Sequence, residues 1–457
     1  MNLSSLNRNE LLNKCRELKI SNYSSKKKPE LINMIIDYLT NNKNNSEILI
    51  NNQNSINSQN SINSQKLKFI DLFCGIGGFH QAMKKFNYEC VFACDIDKNC
   101  RYIYEKNYKL KPEDDITNVD ENKVPDFDIL CAGFPCQAFS NAGKKKSFDD
   151  KRGNLFEHIL RIANKKKPSF MFLENVKHIK KIDNGNVFRH IIKRINEIGY
   201  TIDEKNVFEL SPHELGVPQH RERVIFVCIR NDIFIPEKKI EIIPPCPPIN
   251  LTNIIEKDLV ITEKYKISSE IENILNIWDE MIQKFEVNES LSPTILCNEF
   301  YNNYTDNEFK ELPEWKKDYI IKNKPLYEKY QDSWDIWYEK NNNILQKKEI
   351  YAKLEWQVGK KKKDDSIWNY FIQLRQSGIR VKKCDYFPTL VAIVQTPIYA
   401  KEKRYITPRE CARLQSFPDD FIIHENDHIA YKQFGNAVNV NVIHFVVENV
   451  FKTYNIV

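Results

Sequence analysis

Residues 67–79 read LKFIDLFCGIGGF, an apolar run that ends in closely spaced glycines. This pattern predicts a buried strand that turns into a helix, with a turn where the backbone can approach a ligand closely. Turns of this kind hold NAD, FAD or S-adenosylmethionine, and some hold no ligand. Alone, the stretch predicts a strand, a turn and a helix, and it leaves the ligand open.

A carboxylate downstream narrows the class of ligand. Asp95 follows the next apolar run, 17 residues after Gly78. At that position a carboxylate can accept both hydroxyls of a ribose, which favours an adenosine-containing ligand. No G-x4-G-K-[ST] phosphate loop occurs, since Gly133 and Gly143 are ten residues apart, so ATP hydrolysis is disfavoured.

Five short apolar runs alternate with helical stretches over residues 67–230: LKFIDLF, ECVFACD, FDILCAG, SFMFLEN and RVIFVCIR. This alternation predicts buried parallel strands with crossover helices. The expected fold is therefore α/β, a Rossmann-like doubly wound sheet that occupies residues 66–240.

The rest of the chain divides into four segments. Residues 1–40 predict a small module of two helices with a basic connection, and the polar tract 41–65, with its tandem NSINSQ, predicts a disordered linker. Residues 241–429 hold all six Trp and only two Gly, and they predict an inserted domain with helices. The last segment, 430–457, predicts a loop and a buried helix that complete the first domain.

One helix of the inserted domain is marked by its cap and its apolar spacing. Ser269 and Glu272 form a predicted capping box. Apolar residues then recur at helical spacing: Ile271, Ile274, Leu275, Trp278, Met281, Ile282 and Phe285. We interpret this stripe as core rather than as a ligand site.

Composition excludes several classes of protein. The chain has 457 residues, a formal charge of 68 − 62 = +6, and 41% apolar and 28% charged residues. It contains no window of about 18 apolar residues and begins without a secretory pattern, so we expect neither a membrane span nor secretion. The 12 Cys are scattered without zinc spacing, so no metal is expected.

Three reactive groups lie at the ends of successive predicted strands, the first two after their apolar runs and the third just before the run RVIFVCIR. Cys136 lies in GFPCQAFS, Glu174 ends the run FMFLE, and Arg221 and Arg223 lie in QHRER. The ends of strands in a doubly wound sheet are where ligands react. Partial burial raises the pKa of a carboxyl towards that of a useful acid, and a nearby arginine favours a thiolate. Packing alone does not account for all three groups.

In these motifs the chain resembles the cytosine-C5 DNA methyltransferases. The matching series runs over residues 67–457 in the family's order: DLFCGIGGF, GFPCQAFS, ENV, QHRER, RECARLQSFP and FGNAV. A long variable stretch separates the fourth motif from the fifth. The resemblance implies a methyltransferase fold, S-adenosylmethionine as cofactor, and a target-recognition domain in residues 241–429.

The resemblance also implies residue roles. Cys136 would be the nucleophile, Glu174 the acid at cytosine N3, and Arg221 and Arg223 would orient base and backbone. The implied cofactor positions are Phe73, Gly75, Gly77, Asp95, Ile96, Asp115, Ile116, Pro135, Asn436 and Val438. Two of them depart from the family pattern, because many relatives have Glu in place of Asp95 and an aromatic residue in place of Ile96.

The chemistry explains why these residue types are required. Cytosine C5 is a weak nucleophile, so a thiolate must first add at C6 while a proton donor acts at N3. C6 is inaccessible in a stacked duplex, so the base must be flipped out at a cost of a few kcal/mol. The predicted activity is methyl transfer to C5 of a flipped cytosine in a specific duplex DNA sequence, for restriction–modification or DNA protection.

The N-terminal helices suggest a second contact with DNA. LLNKCRELKI followed by SKKKPELINMIIDYL resembles the SAP module, a small helical DNA-binding unit. The inserted domain supplies further basic residues, among them 360–363. We assign no base contact to any of these lysines.

We expect duplex DNA as partner, a cognate restriction endonuclease that acts separately, a monomeric chain, and an intracellular location with the genome that is modified. Two alternatives remain at this point. One is a tRNA cytosine-5 methyltransferase on the same scaffold, and the other is a catalytically idle nucleic-acid-binding protein. Methyl-transfer assays with duplex DNA and tRNA discriminate between them.

Overall fold

The computed structural model describes residues 11–12, 26–32, 34, 66–135, 155–291, 294–392 and 395–456. It forms two compact units, residues 1–66 and 67–457. The predicted linker 41–65, most of the N-terminal module and Cys136 lie outside the described residues. In the first unit, residues 28–32 are helical, and the Glu30 carboxylate accepts the N–H of Lys27 at 2.8 Å.

A seven-stranded sheet organises the first part of the second unit. Its strands are β1 (Lys68–Leu72), β2 (Glu89–Cys94), β3 (Ile129–Gly133), β4 (Phe170–Val176), β5 (Tyr200–Thr201), β6 (Val207–Leu210) and β7 (Arg223–Arg230). The order is β2-β1-β3-β4-β7-β5, with β6 also paired to β7. All five predicted apolar runs are strands, which confirms the α/β prediction.

One of the five predicted strands, β7, departs from the predicted parallel arrangement. β1 to β4 pair with one another in parallel, but β7 runs antiparallel to β4 and also pairs with the short strands β5 and β6. β5 and β6, of two and four residues, were not predicted. They are too short to show an apolar period, and both pair antiparallel with β7.

Four helices flank this sheet: α1 (Gly78–Lys84), α2 (Lys98–Tyr108), α3 (Leu155–Lys166) and α4 (Asn186–Glu197). Side chains that alternate along β1 enter two separate cores. Phe69 packs with α1, whereas Ile70 and Leu72 pack with α3 and α4. Both faces of the sheet are therefore covered, as its near-continuous apolar strands require.

The inserted region combines helices with a six-stranded sheet. Its elements are α5 (Leu259–Glu263), α6 (Ser269–Lys284), β8 (Ile295–Leu296), α7 (Asp306–Glu311), α8 (Glu314–Lys329), α9 (Gln331–Leu345), β9 (Lys353–Gln357), β10 (Phe371–Arg375), β11 (Gly378–Lys382), β12 (Ile398–Tyr399) and β13 (Arg404–Tyr405). The strand order is β13-β12-β10-β11-β9-β8. One sheet face, with Leu354, Trp356 and Ile372, packs on the helices. The alternate positions of β9, β10 and β11 are largely polar.

The predicted α6 is present, with one correction at its start. Ser268, not Ser269, is the N-cap, and its hydroxyl accepts the N–H of Ile271. The apolar stripe is core as predicted, because Trp278 and Met281 are fully buried. Ser268 and Ser269 are adjacent, so the sequence alone did not show which of them is the N-cap.

The chain ends in α10 (Pro408–Leu414), α11 (Asp427–Asn436) and α12 (Val440–Tyr454). α12 packs beside α1 in the core of the large sheet. Ile406, Leu414 and Phe421 belong to the same core, although the predicted return to the first domain began at 430. Among the described residues no helix is both long enough and apolar enough to cross a membrane.

Candidate active site

The glycine turn after β1 is closed on one side and open on the other. Gly75 and Gly77 have φ values of 53° and 90°, and Phe73, at 52°, shares this left-handed region. A Cβ on Gly77 would lie 2.2 Å from the Tyr108 ring, so the turn tolerates only glycine there. A Cβ on Gly75 would meet no atom within 4 Å. The space beside Gly75 is therefore free for a ligand.

Asp95 holds this turn in place. Its carboxylate accepts the N–H of Gly75 at 2.7 Å and the N–H of Asp97 at 2.8 Å, one on each oxygen. Burial raises the pKa of Asp95, and these two hydrogen bonds oppose the rise. The neighbouring Ile96 side chain is 77% exposed. An anchored carboxylate and an exposed apolar surface thus lie side by side next to the turn.

The predicted adenine-edge residues lie on an adjoining loop. The N–H of Asp95 donates to the carbonyl of Glu113 at 3.0 Å, which brings this loop to the end of β2. Asp115 caps a short 3-10 helix by accepting the N–H of Thr117 at 2.9 Å, and this bond lowers the pKa of Asp115. Ile116 is buried. Of the two residues, only Asp115 has its side chain partly accessible to a ligand.

The C-terminal motif closes over the same region. Val438 packs so tightly on the turn that a Cβ on Gly78 would lie 2.5 Å from its side chain. A Cβ on Gly133, at the end of β3, would lie 3.6 Å from Val438 and also 3.6 Å from Oε2 of Glu174. Val438 therefore bridges the glycine turn and the end of β3. Asn436, at the end of α11, is exposed.

Glu174 lies at the carboxyl end of β4, directly beside the end of β3, where Gly133 is its register partner. It is 8% exposed, and its Oε1 lies 2.9 Å from Nε of Arg223. Burial raises the pKa of this carboxyl, while the charges of Arg223 and then Arg221 oppose the rise. The described chain continues from Gly133 to the exposed Pro135, and the predicted nucleophile Cys136 comes next in sequence, outside the described residues.

The two predicted arginines differ in their surroundings. Arg223 contacts Glu174, as described above. Arg221 is 3% exposed, and its guanidinium donates to the carbonyls of Leu390 at 2.6 Å, Gly435 at 2.7 Å and Ala437 at 3.1 Å. Arg221 therefore joins main-chain segments from the end of the chain to the catalytic sheet. Its contact with a base stays a prediction.

Asn175, which follows Glu174 on β4, is a site residue that was not predicted. Asn175 is 2% exposed, and its Nδ2 donates to the carbonyl of Phe134 at 2.9 Å. Its Oδ1 accepts the N–H of Val176 at 2.9 Å. The side chain thus ties β4 to the backbone two residues before Cys136. Its position in the ENV motif, directly after Glu174, is the feature of the sequence from which a role could have been predicted.

Asp71, in the first motif, also received no role. Its carboxyl is fully buried, and its Oδ1 has no hydrogen-bond partner within the described part of the chain. Burial raises the pKa of Asp71 well above the usual range, and a backbone hydrogen bond from His80 only partly opposes this. Burial thus favours the protonated form of Asp71, which lies at the end of β1 before the glycine turn.

Comparison with known proteins identifies two families. Residues 67–452 match the family described as C-5 cytosine-specific DNA methylase. Residues 2–44 match the family described as Rho termination factor, N-terminal domain, so the predicted SAP resemblance is not supported.

Several curated relatives resemble most of the chain. Type II methyltransferase M.HhaI of Haemophilus parahaemolyticus is 32% identical over 389 residues, which cover 85% of this chain and 95% of the relative. Type II methyltransferase M.BanI of Aneurinibacillus aneurinilyticus is 31% identical over 444 residues, which cover 85% and 96%. Type II methyltransferase M.HpaII of Haemophilus parainfluenzae is 31% identical over 392 residues, which cover 83% and 87%.

The matched family spans the glycine turn, the Glu174–Arg223 pair and the C-terminal closure, and the relatives above extend over the same region at more than 30% identity. The chain therefore belongs to the C-5 cytosine-specific DNA methylase family and is a DNA cytosine-5 methyltransferase.

Proposed function

We propose that this enzyme uses S-adenosylmethionine, bound at the glycine turn, to methylate a cytosine that is flipped out of a specific duplex DNA sequence. The observation that carries the proposal is the buried pair of Glu174 and Arg223 beside the end of β3. A carboxyl whose pKa burial raises can donate a proton to a ring nitrogen, and the arginine holds it in one orientation.

The cofactor fits the residues around the turn. The open space beside Gly75 admits a ligand against the backbone, and Asp95 keeps acceptor capacity on both oxygens, since each accepts only one N–H. Ile96, with 77% of its side chain exposed, offers an apolar surface for an adenine ring. When bound there, S-adenosylmethionine supplies an electrophilic methyl group. Phe73, Gly77, Asp115, Ile116, Pro135, Asn436 and Val438 complete the proposed cofactor site.

Three side chains of the protein have separate roles in the reaction of the cytosine base. We assign the Cys136 thiolate to attack at C6, which makes C5 nucleophilic. Glu174, held by Arg223, donates a hydrogen bond or proton at N3 and stabilises the charge that the attack generates. Asn175 fixes the backbone just before Cys136 through the carbonyl of Phe134. Once C5 carries the methyl group, a base removes the C5 proton, the electron pair of that bond re-forms the C5–C6 double bond, and Cys136 leaves as the thiolate. N3 returns its proton to Glu174.

We further propose that residues 241–429 contain the target-recognition domain. The face of the small sheet turned away from its apolar core carries polar side chains on three strands, among them Gln357, Gln373 and Arg380. Polar side chains of these types read base edges and bind phosphates. The relatives' names place them in type II systems, and we propose the same setting here, with a monomeric enzyme and a separately acting cognate endonuclease.

Two variants test the assignment of chemistry. Cys136→Ser should abolish transfer of labelled methyl groups to duplex DNA, and Glu174→Gln should lower the rate about 10²-fold or more, because the amide cannot donate a proton to N3. Glu222→Gln is the matched control, since Glu222 is exposed and pairs with Lys177. It should retain activity within about threefold.

The outcomes separate this proposal from its rivals. Full activity of Cys136→Ser would refute the nucleophile. Transfer to tRNA that exceeds transfer to duplex DNA would favour an RNA substrate. No transfer to either by the wild-type chain would favour an idle binding protein. Bisulfite sequencing of DNA from an expressing host gives the methylated sequence directly.

A further inference from the structure

A basic loop follows β9 in the inserted region. Residues 358–366 read VGKKKKDDS and are called the lysine loop below. Lys360, Lys362 and Lys363 are exposed, whereas Lys361 is only 5% exposed. A run of lysines is often only a solvated surface. Whether this loop can bind a ligand therefore depends on whether its backbone is ordered and whether its lysines are already paired.

The backbone of the lysine loop is fixed on both sides. The N–H of Lys361 donates to the carbonyl of Glu289 at 2.9 Å, and the N–H of Asn288 donates to the carbonyl of Lys361 at 2.7 Å. Trp356 donates its indole N–H to the carbonyl of Gly359 at 2.9 Å. These bonds fasten the middle and the start of the loop to neighbouring segments.

A buried carboxylate fastens the end of the loop. Asp365 is 4% exposed, and its carboxylate accepts the N–H of Lys362 at 2.6 Å and the hydroxyl of Tyr370. The loop therefore holds its shape before any partner binds. A partner that binds such a loop avoids much of the entropy loss of ordering it.

The exposed ammonium groups of the loop are not neutralised. Across the described part of the chain, Lys360, Lys362 and Lys363 form no ion pair. By contrast, many lysines of the same region pair with carboxylates: Lys316, Lys317, Lys324, Lys329, Lys340, Lys348, Lys353 and Lys403. The lysine loop thus presents three exposed cations on a fixed backbone, without ion-pair partners among the described residues.

The topology places the lysine loop on the catalytic side of the small sheet. β9 and β11 are parallel, with Gln357 opposite Lys382, so their carboxyl ends share one edge. From Lys382 the chain runs to Phe387, whose N–H donates to the carbonyl of Pro218 at 2.8 Å. Strand spacing and chain reach together put Gln357, the residue before the loop, at most about 28 Å from Gln219, which lies two residues before Arg221.

We propose that the lysine loop is a preformed clamp for the phosphate backbone of duplex DNA beside the flipped cytosine. The inference rests on the proposed function, which supplies the duplex. Duplex DNA carries one charge per about 1.7 Å of axis, so several phosphates fall within the loop's distance from the catalytic edge. The three lysines bind phosphates of the DNA backbone and make no contact that distinguishes one base from another. Asp365 acts as a positioning residue that keeps Lys362 and its neighbours in place.

The salt dependence of DNA binding tests the clamp. In the full chain, Lys360→Gln, Lys362→Gln and Lys363→Gln are combined, and the Kd for a methylatable duplex is measured from 50 to 300 mM salt. If all three contact phosphates, the slope of log Kd against log salt falls by about 2.7, and affinity falls at least about tenfold. Sequence preference should stay the same.

A control variant removes the same charge elsewhere. Lys310, Lys322 and Lys347 are exposed, form no ion pair within the described residues, and lie on or after the helices of the opposite face. Their combined change to Gln should leave the slope within about 0.5 of wild type. Asp365→Asn should weaken binding while the slope stays closer to wild type, because the lysines remain but are less well placed.

Equal slopes for the lysine-loop variant and the control variant would overturn the clamp. Weaker binding of the lysine-loop variant with an unchanged slope would overturn it as well, since loss of three phosphate contacts must lower the salt dependence. Failure of the proposed function is a separate result: the wild-type chain would then neither bind nor methylate duplex DNA. A wild-type chain that methylates DNA, with equal variant slopes, rejects the clamp alone.

Discussion

Glu174 and Asn175 are neighbours on β4, and because strand side chains alternate, they point to opposite faces of the sheet. One carboxyl meets Arg223, and the adjacent amide holds the backbone of Phe134. In the proposed mechanism, these two consecutive residues supply the acid and a support for the backbone just before Cys136. The proposed chemistry on the base therefore depends on the surroundings of these two side chains.

The support can be tested by removing the amide. Asn175→Ala should lower kcat about 10- to 100-fold, because a loop displaced by about an ångström loses near-attack geometry. The KM for S-adenosylmethionine should change little, since the side-chain hydrogen bonds of Asn175 go to Phe134 and Val176 and not to the glycine turn. Steady-state kinetics with both substrates measure the split, and thermal unfolding monitors the fold. A kcat within twofold of wild type would contradict this role.

The raised pKa of Asp71 predicts that the free energy of unfolding depends on pH. Its pKa is raised in the folded chain, so its favourable contribution is complete below the pKa of an unfolded Asp, about 3.9, and is lost as pH rises through the folded pKa. Asp71→Asn cannot ionise and should not show this loss. Urea unfolding of both proteins from pH 5 to 9 should show the variant gaining relative to wild type as pH rises. A constant difference would contradict the raised pKa.

At the scale of elements, the turn between β1 and α1 depends on two glycines for different reasons. Both have positive φ, which an alanine adopts at a cost of about 1–2 kcal/mol. Only Gly77 would add a collision, with Tyr108 of α2. The turn is thus shaped by the helix that follows the next strand.

The two glycines form a matched pair of variants. Gly75→Ala should destabilise the chain only by the backbone cost above, while Gly77→Ala should lose about 1–3 kcal/mol more, because Tyr108 must move. Urea unfolding measures the free energies. Calorimetry should show that Gly75→Ala still weakens S-adenosylmethionine binding, since its methyl group enters the proposed ligand space. Equal stabilities of the two variants would contradict the collision.

For the whole molecule, Arg221 is the residue that joins distant segments. Its guanidinium binds carbonyls of Leu390, Gly435 and Ala437, which lie 169, 214 and 216 residues away in sequence. Gly435 is required at this junction, because a Cβ there would lie 2.4 Å from the carbonyl of Val391. The catalytic sheet, the end of the inserted region and the last helices meet at one buried cation.

Removing that cation should loosen the whole second unit. Arg221→Gln should lower the free energy of unfolding by about 3–5 kcal/mol, because buried carbonyls lose charged donors. Arg230→Gln is the control: Arg230 pairs at the surface with Asp232, and its loss should cost less than about 1 kcal/mol. Urea unfolding followed by fluorescence measures both. Similar losses in the two variants would refute the joining role.

The sequence by itself determined the strands β1 to β4 and β7, the glycine turn, the order of the motifs and the apolar stripe of α6. These features are local, since an apolar period or a run of glycines is written in consecutive residues. Ordered motifs also allowed the family to be recognised before any contact was known.

Only the tertiary structure decided which groups are in contact. In it β7 pairs antiparallel with β4, and Ile406 packs in the core that contains Phe69. Arg223 forms an ion pair with Glu174, whereas Arg221 donates hydrogen bonds to main-chain carbonyls. The tertiary structure also fixed the backbone of the lysine loop through Asp365. Such contacts join residues that are far apart in the chain, and their energies depend on burial and geometry, which no local pattern of residues encodes.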